Sequence, residues 1–214
     1  VAIGEPYVSY QKRLIKSAKE IMPHIDLLTW TDELPKGSKS FAESMYGFKM
    51  YAFQEAFKAG YDLVVWLDTP TVFHEDISFV FDLLEKSEHK TFAIATEVKL
   101  YKYINEESLK YFGITRQEVK DKDWLLNFGF IFGFTKDSEI YHQMFECERL
   151  GLFTTQEQDY QDHLNNSNKL FFGEYVEHRH EESIISMLIQ KQNFKLSPNS
   201  VVMSKLEFQK TPLS

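Results

Sequence analysis

The run Val64-Val65-Trp66-Leu67, closed by Asp68, constrains this 214-residue chain more than any other stretch. Four apolar residues follow one another without polar alternation, so the strand they form is covered on both faces. Central parallel strands read this way, and the carboxylate falls where such a sheet meets solvent. Around this run the periodicity changes repeatedly. A short strand over residues 1–4 precedes a helix with Tyr10, Leu14, Ala18 and Ile21 on one face and Pro23 behind it. A second buried strand is expected at 25–30, and after it the Pro/Gly/Ser-containing "TDELPKGSKSFAES" is a loop longer than a packing connection needs. The next helix, "GFKMYAFQEAFKAG", carries Met50, Phe53 and Phe57 on one stripe and stops at Gly60.

Beyond Asp68 the pattern gives a helix in "ISFVFDLLEKS", a strand in "TFAIATE", and a charged, mainly helical stretch over 100–123. An apolar strand follows at 124–134, where Gly129 and Gly133 imply a close backbone approach or a bulge. Helices at 136–149 and 155–166, a strand in "KLFFGEYV", and a helix from Glu181 with Ile184, Ile185, Leu188 and Ile189 at helical spacing come next; "FKLSP" is a last strand. Strand and helix alternate for most of the chain. The pattern predicts an α/β fold, a Rossmann-like three-layer sandwich around a mainly parallel central sheet.

The length suits one core, so residues 1–214 are read as a single domain, and Val at position 1 suggests a piece of a longer chain. A net charge of −8 with scattered Lys and Arg argues against a general nucleic-acid binder, which needs a basic stripe. No apolar run has the roughly 18 residues that a bilayer crossing requires, so no transmembrane segment is expected. The only cysteine, Cys147, leaves no intrachain disulfide and fits a reducing, cytoplasmic setting. The 19 Phe and 11 Tyr are core material before they are anything else.

Ligands of open α/β sheets bind beyond the carboxyl ends of the strands. That rule collects the loop after Gly4, the loop after Trp30, Asp68, Glu97, the Asn127/Gly129 segment, and His178 to Glu182. The chain has no GxGxxG, no Gly-rich lysine loop and no GxSxG elbow, which argues against dinucleotide, P-loop and serine-hydrolase chemistry. Each candidate also has a plain structural account. Asp68 suits a turn or helix cap, "HRHEES" suits a polar strand exit with acidic residues in a helix's first turn, Lys49 suits a solvated helix face, and Asn127 suits a backbone group beside the glycines.

Two segments resemble a family of glycosyltransferases with the GT-A fold. "MYGFKMYAFQEAFKAGYDLVVWLD" (45–68) is similar to that family's PYGFKxYAFxEAxxxGYDxxLWLD segment, and "EHRHEESIISML" (177–188) to its HRHDQSxxSxL-like segment, with "NFGFIFGF" between them. The compact chain also resembles glycosyltransferases encoded by large DNA viruses of algae. The resemblance implies transfer of a sugar from a UDP-sugar donor to a hydroxyl of a glycan or glycoprotein acceptor. A Mn²⁺ or Mg²⁺ ion, bound weakly and together with the donor, would neutralise the leaving diphosphate. In this sequence the family's Asp-x-Asp is reduced to Asp68-Thr69-Pro70, so Asp68 would share the metal with His178 or His180. Gly4, Glu5, Pro6, Lys49, Asp68, Thr69 and Asn127 would bind the donor. Glu181, with Glu182 second and Asp68 beside the diphosphate, would supply the catalytic carboxylates. Two rival readings are a nucleotide-sugar- or carbohydrate-binding module without strong catalysis and a sugar nucleotidyltransferase, though the latter needs a Gly-rich basic loop where "GEPYVSYQKR" has one glycine.

Overall fold

The computed structural model describes residues 1–154, 161, 176–194, 196–198 and 200–209. Its centre is β4 (Leu125–Thr135), whose residues are buried from Gly129 onward. Leu63–Leu67 (β1) and Thr91–Lys99 (β3) flank it, giving the order β1-β4-β3. Both pairings are antiparallel, with Leu63 opposite Thr135 and Leu67 opposite Ile131 on one side, and Thr91 opposite Phe134 on the other. The β3–β4 ladder shifts register twice between Ala93 and Lys99. Thr71–Phe73 (β2) and Leu206–Phe208 (β5) form a separate two-stranded antiparallel sheet.

The mainly parallel, Rossmann-like sheet expected from the sequence is therefore not what this chain builds. Parallel pairing among the described residues is confined to two isolated bridges, Ala2 with Thr31 and Ile94 with Ser197. The physical reason lies in what an unbroken apolar run reports. Trp66 and Val64 join the cluster of Met50, Phe53, Phe132, Phe134 and Tyr141, whereas Leu63, Val65 and Leu67 pack with Leu84, Ile131 and Val80. Alternate residues point to opposite faces, and both faces are covered. That condition removes polar alternation whichever way the neighbouring strand runs.

The helices that cover the first face are α2 (Phe48–Lys58), α6 (Glu139–Arg149) and α7 (His180–Lys191). Phe53 sets the packing, with its ring centroid 4.9 Å from that of Phe134 and 5.6 Å from that of Phe132. Burying one such side chain stabilises by about 1.5–3 kcal/mol. On the second face lie α1 (Tyr7–Ile21) and α3 (Phe79–Lys86), which contribute Leu14, Ala18, Val80 and Leu84. A β-carbon at Gly133 would stand 2.9 Å from the Val64 carbonyl oxygen, so this glycine is what lets β1 and β4 close, as the sequence suggests.

The charged stretch after β3 forms a 3-10 turn (Leu100–Lys102) and two short helices, α4 (Glu106–Phe112) and α5 (Arg116–Asp121). Asn105 caps α4, Gly113 ends it at φ +63°, and Thr115 with Glu118 closes a capping box on α5. A last helix, α8 (Ser200–Met203), leads into β5. The strand expected at 25–30 does not form a ladder, and Leu28 is exposed. The strand expected at 194–198 is reduced to the Ile94–Ser197 bridge. The helix expected at 155–166 and the strand in "KLFFGEYV" fall, except for Gln161 and Val176, outside the described residues. Among the described residues no helix is long and apolar enough to cross a membrane.

Candidate functional site

Three elements bring one ammonium and two carboxylates together. Lys49 stands in the first turn of α2, Asp68 follows the last residue of β1, and Glu181 lies in the first turn of α7. The positions follow from local structure. The Asp68 N–H donates to the Phe130 carbonyl, which continues the β1–β4 ladder by one residue and fixes where the carboxylate emerges. The Trp66 indole N–H then donates to Asp68 Oδ1 at 2.7 Å. Glu181 is placed by the start of α7, where His180 has φ 49° and a buried ring whose Nδ1 bonds the Phe153 carbonyl at 2.6 Å. A left-handed conformation costs a residue with a β-carbon about 1–2 kcal/mol, so this start is held by its surroundings rather than by local preference.

Lys49 Nζ sits 2.6 Å from Glu181 Oε1, 3.1 Å from Asp68 Oδ1 and 3.1 Å from the Gly129 carbonyl oxygen. Its charge also lies 5.1 Å from the Tyr46 ring centroid and 5.4 Å from that of Trp66. Lys49 and Glu181 are 2% exposed, whereas the Asp68 side chain is 28% exposed. Burial works to lower the Lys49 pKa, but Asp68 and Glu181 outweigh it and the ammonium is held above its ordinary value. Burial pushes the Glu181 carboxyl up to about 7, against the opposing pull of Lys49 and with help from Glu182 and Asp68. Glu181 Oε2 is buried and has no hydrogen-bond partner among the described residues. Among the described residues, Trp66 and Lys49 both contact the Asp68 carboxylate through Oδ1.

A second charged group borders the first. Arg179 binds Glu177 through Nη1 at 2.9 Å and Glu182 through Nε at 3.1 Å, and the two carboxylates hold its pKa up. Glu182 lies against the backbone of β4, where a β-carbon at Gly129 would come within 2.4 Å of Glu182 Cγ and Oε1. With Glu182 in its Arg179-bound position, only glycine fits at 129. Asn127, two residues earlier, is fully buried, and both its amide oxygen and its amide nitrogen are without partners among the described residues.

The structure thus gathers Lys49, Asp68 and Glu181 from the sequence candidates, with Glu182 one residue away on Arg179. Thr69 is buried beside Asp68. Gly4, Glu5 and Pro6 are exposed and tied elsewhere: the Gly4 N–H donates to Asp32 Oδ1 at 2.8 Å, and Glu5 Oε2 accepts from the Ser9 N–H at 3.3 Å. The expected metal ligands do not converge. His178 uses both ring nitrogens, accepting from the Asn105 N–H at Nδ1 and donating to the Leu152 carbonyl from Nε2, so it has no lone pair for an ion. Among the described residues no group of three or more His, Cys, Asp or Glu side chains could hold a metal. The three oxygens that converge beside Asp68 instead surround the Lys49 ammonium. The described residues thus offer no preformed site for a resident Mn²⁺ or Mg²⁺. Sequence reasoning missed Tyr46, Trp66 and Arg179; the mixture of rings and a lysine in "MYGFKM" was the only signal for the first.

No family model matches this chain, and no curated protein matches it. The resemblance of 45–68 and 177–188 to GT-A glycosyltransferases therefore stands on those residues alone. The activity drawn from it does not survive the structure. A UDP-sugar glycosyltransferase of that fold needs a parallel nucleotide-binding sheet and, in the manganese-assisted form expected, a metal-holding cluster. The sheet here is antiparallel and the described residues offer no such cluster. The expected enzyme class, its GT-A fold and its manganese-bound UDP-sugar are corrected accordingly.

Proposed function

We propose that the chain binds a small, uncharged, hydroxyl-bearing ligand at the Lys49–Asp68–Glu181 cluster, with Glu181 exchanging a proton with it near neutral pH. The observation behind this reading is the Oε2 of Glu181, unpartnered among the described residues, in a carboxyl whose other oxygen is fixed by Lys49. A buried polar atom left without a partner is costly, and a ligand hydroxyl is a group that can both donate to a carboxylate and accept from a carboxylic acid. Asp68, the exposed member, marks the side from which the ligand enters. The charges favour a neutral ligand. Asp68, Glu177, Glu181 and Glu182 outnumber Lys49 and Arg179, so a diphosphate would meet excess negative charge, while an added cation would compete with Lys49. A glycan belongs to the favoured class, and a reducing, cytoplasmic setting is part of the same proposal.

Titration calorimetry with neutral polyols and methyl glycosides, run at pH 7 in two buffers of different ionisation enthalpy, tests the reading. Saturable binding of at least one of these ligands is expected, with a buffer-dependent heat that disappears in Glu181→Gln. Absence of binding across the set, or tighter binding of inorganic diphosphate than of any neutral ligand, would overturn it.

A further inference from the structure

A mainly apolar cavity of about 150 Å³ lies between β1 and the extended segment 25–30, with Trp66 and Thr69 separating it from the Lys49–Asp68 pair. Met22, Leu27, Phe53, Val65, Phe73 and Ile77 are among the side chains around it. One wall differs from an ordinary core void. Asp68 N–H bonds Phe130 and Lys136 N–H bonds Asp62, and Val64 and Trp66 stand opposite Phe134 and Phe132. In an antiparallel ladder the residues of that set turn their N–H and C=O toward β4. Leu63, Val65 and Leu67 therefore turn theirs the other way, toward the cavity, and among the described residues no strand pairs with that edge.

We propose that this cavity is a binding site for a small apolar ring carrying a secondary lactam. The N–H and C=O of one strand residue project side by side from the same edge, so a cyclic amide, whose N–H and C=O are fixed cis to each other, answers both with two hydrogen bonds. The remaining ring carbons meet the apolar walls, and a cavity of this volume accepts a ring of about six atoms, as a benzene-binding cavity of about 150 Å³ illustrates. A hydrocarbon fills the space but leaves the edge unpaired, and burial of an unpaired backbone group is penalised. An N-methylated lactam retains the acceptor and loses the donor.

The test uses the unaltered chain with δ-valerolactam, N-methyl-2-piperidone and cyclohexane, followed by thermal unfolding and by hydrogen exchange at Leu63, Val65 and Leu67. Valerolactam is expected to bind at least tenfold more tightly than the other two. At a hundredfold excess over its Kd it lowers the apparent unfolding constant about a hundredfold. The edge amides exchange fast in the free protein and are slowed only by valerolactam. Equal binding of all three compounds, no saturable shift, or edge amides already protected without ligand would overturn the proposal; the last would mean that segment 25–30 itself covers the edge. None of these readouts involves Glu181, so they fail or succeed independently of the polyol site.

Discussion

Replacing Lys49 by Met removes a buried charge while keeping most of the side-chain volume, and its cost depends on pH in a direction the site dictates. In the native protein the ammonium contacts Glu181 Oε1 at 2.6 Å, Asp68 Oδ1 at 3.1 Å and the Gly129 carbonyl at 3.1 Å. Without it, an ionised Glu181 is a buried carboxylate lacking a cation, and breaking a buried pair from one side costs about 3–5 kcal/mol. Glu181 escapes that penalty by protonating, and the loss of Lys49 moves its folded pKa further above the value of about 7 it has in the intact cluster. At pH 5 the carboxyl is protonated in both folded proteins, and the remaining cost is the unpaired Gly129 carbonyl plus a partly exposed Asp68, about 1–3 kcal/mol. The destabilisation is therefore expected to be smallest at pH 5 and to grow as pH rises through 7. Urea unfolding at pH 5, 6.5 and 8, with the m-value unchanged between proteins, measures it. A destabilisation that is the same at all three pH values, or a variant more stable than the parent at pH 8, would refute the claim that Lys49 is the counter-cation of a buried, proton-exchanging Glu181.

Glu181→Gln probes the same group from the other side. A carboxyl whose folded pKa is raised from 4.5 to about 7 binds its proton more tightly when folded, so its contribution to stability is full below pH 4.5 and is lost as pH rises through 7. That contribution is on the order of 3 kcal/mol, and stability measured between pH 4.5 and 7 should fall less steeply in Glu181→Gln; an unchanged slope would assign the titration elsewhere. Gly133→Ala should be more damaging than Gly129→Ala. The first places a β-carbon 2.9 Å from the Val64 carbonyl, which is backbone, whereas the second meets the Glu182 side chain, which can move at the expense of its Arg179 contact. Overpacking of this kind costs about 1–3 kcal/mol, and the midpoint of thermal unfolding should drop by about 2–4 °C per kcal/mol, with the larger drop in Gly133→Ala. Burial pushes the Cys147 thiol up to about 12, so iodoacetamide should label it only on unfolding; labelling of the native protein at the rate of an exposed thiol would contradict its placement.

What could be read from the sequence, and what could not, divides along a physical line. Local signals fixed local structure: helical spacing at Tyr10, Leu14 and Ala18 located α1, and the apolar runs at 64–67 and 124–134 located β1 and β4. Strand direction had no comparable signal. The run at 64–67 is apolar because α2 lies over Val64 and Trp66 while α3 lies over Val65, and two covered faces look alike in parallel and antiparallel sheets. The same ambiguity separates the charged cluster from the chemistry first attached to it. A carboxylate at a strand end, followed by Thr69 and Pro70 instead of a second acid, was legible as half of a metal grip. The group that meets it in the fold is an ammonium from α2. Lys49 and Glu181 are 132 positions apart, and no periodicity links them. The antiparallel β1–β4 pairing sets Asp68 beside Phe130 and the Gly129 carbonyl at Lys49, and the start of α7 brings Glu181 to the same ammonium. The pairing that replaces the parallel sheet thus also sets Asp68 and the Gly129 carbonyl against the lysine, and a carboxylate read at a strand end carries no sign of which cation will face it.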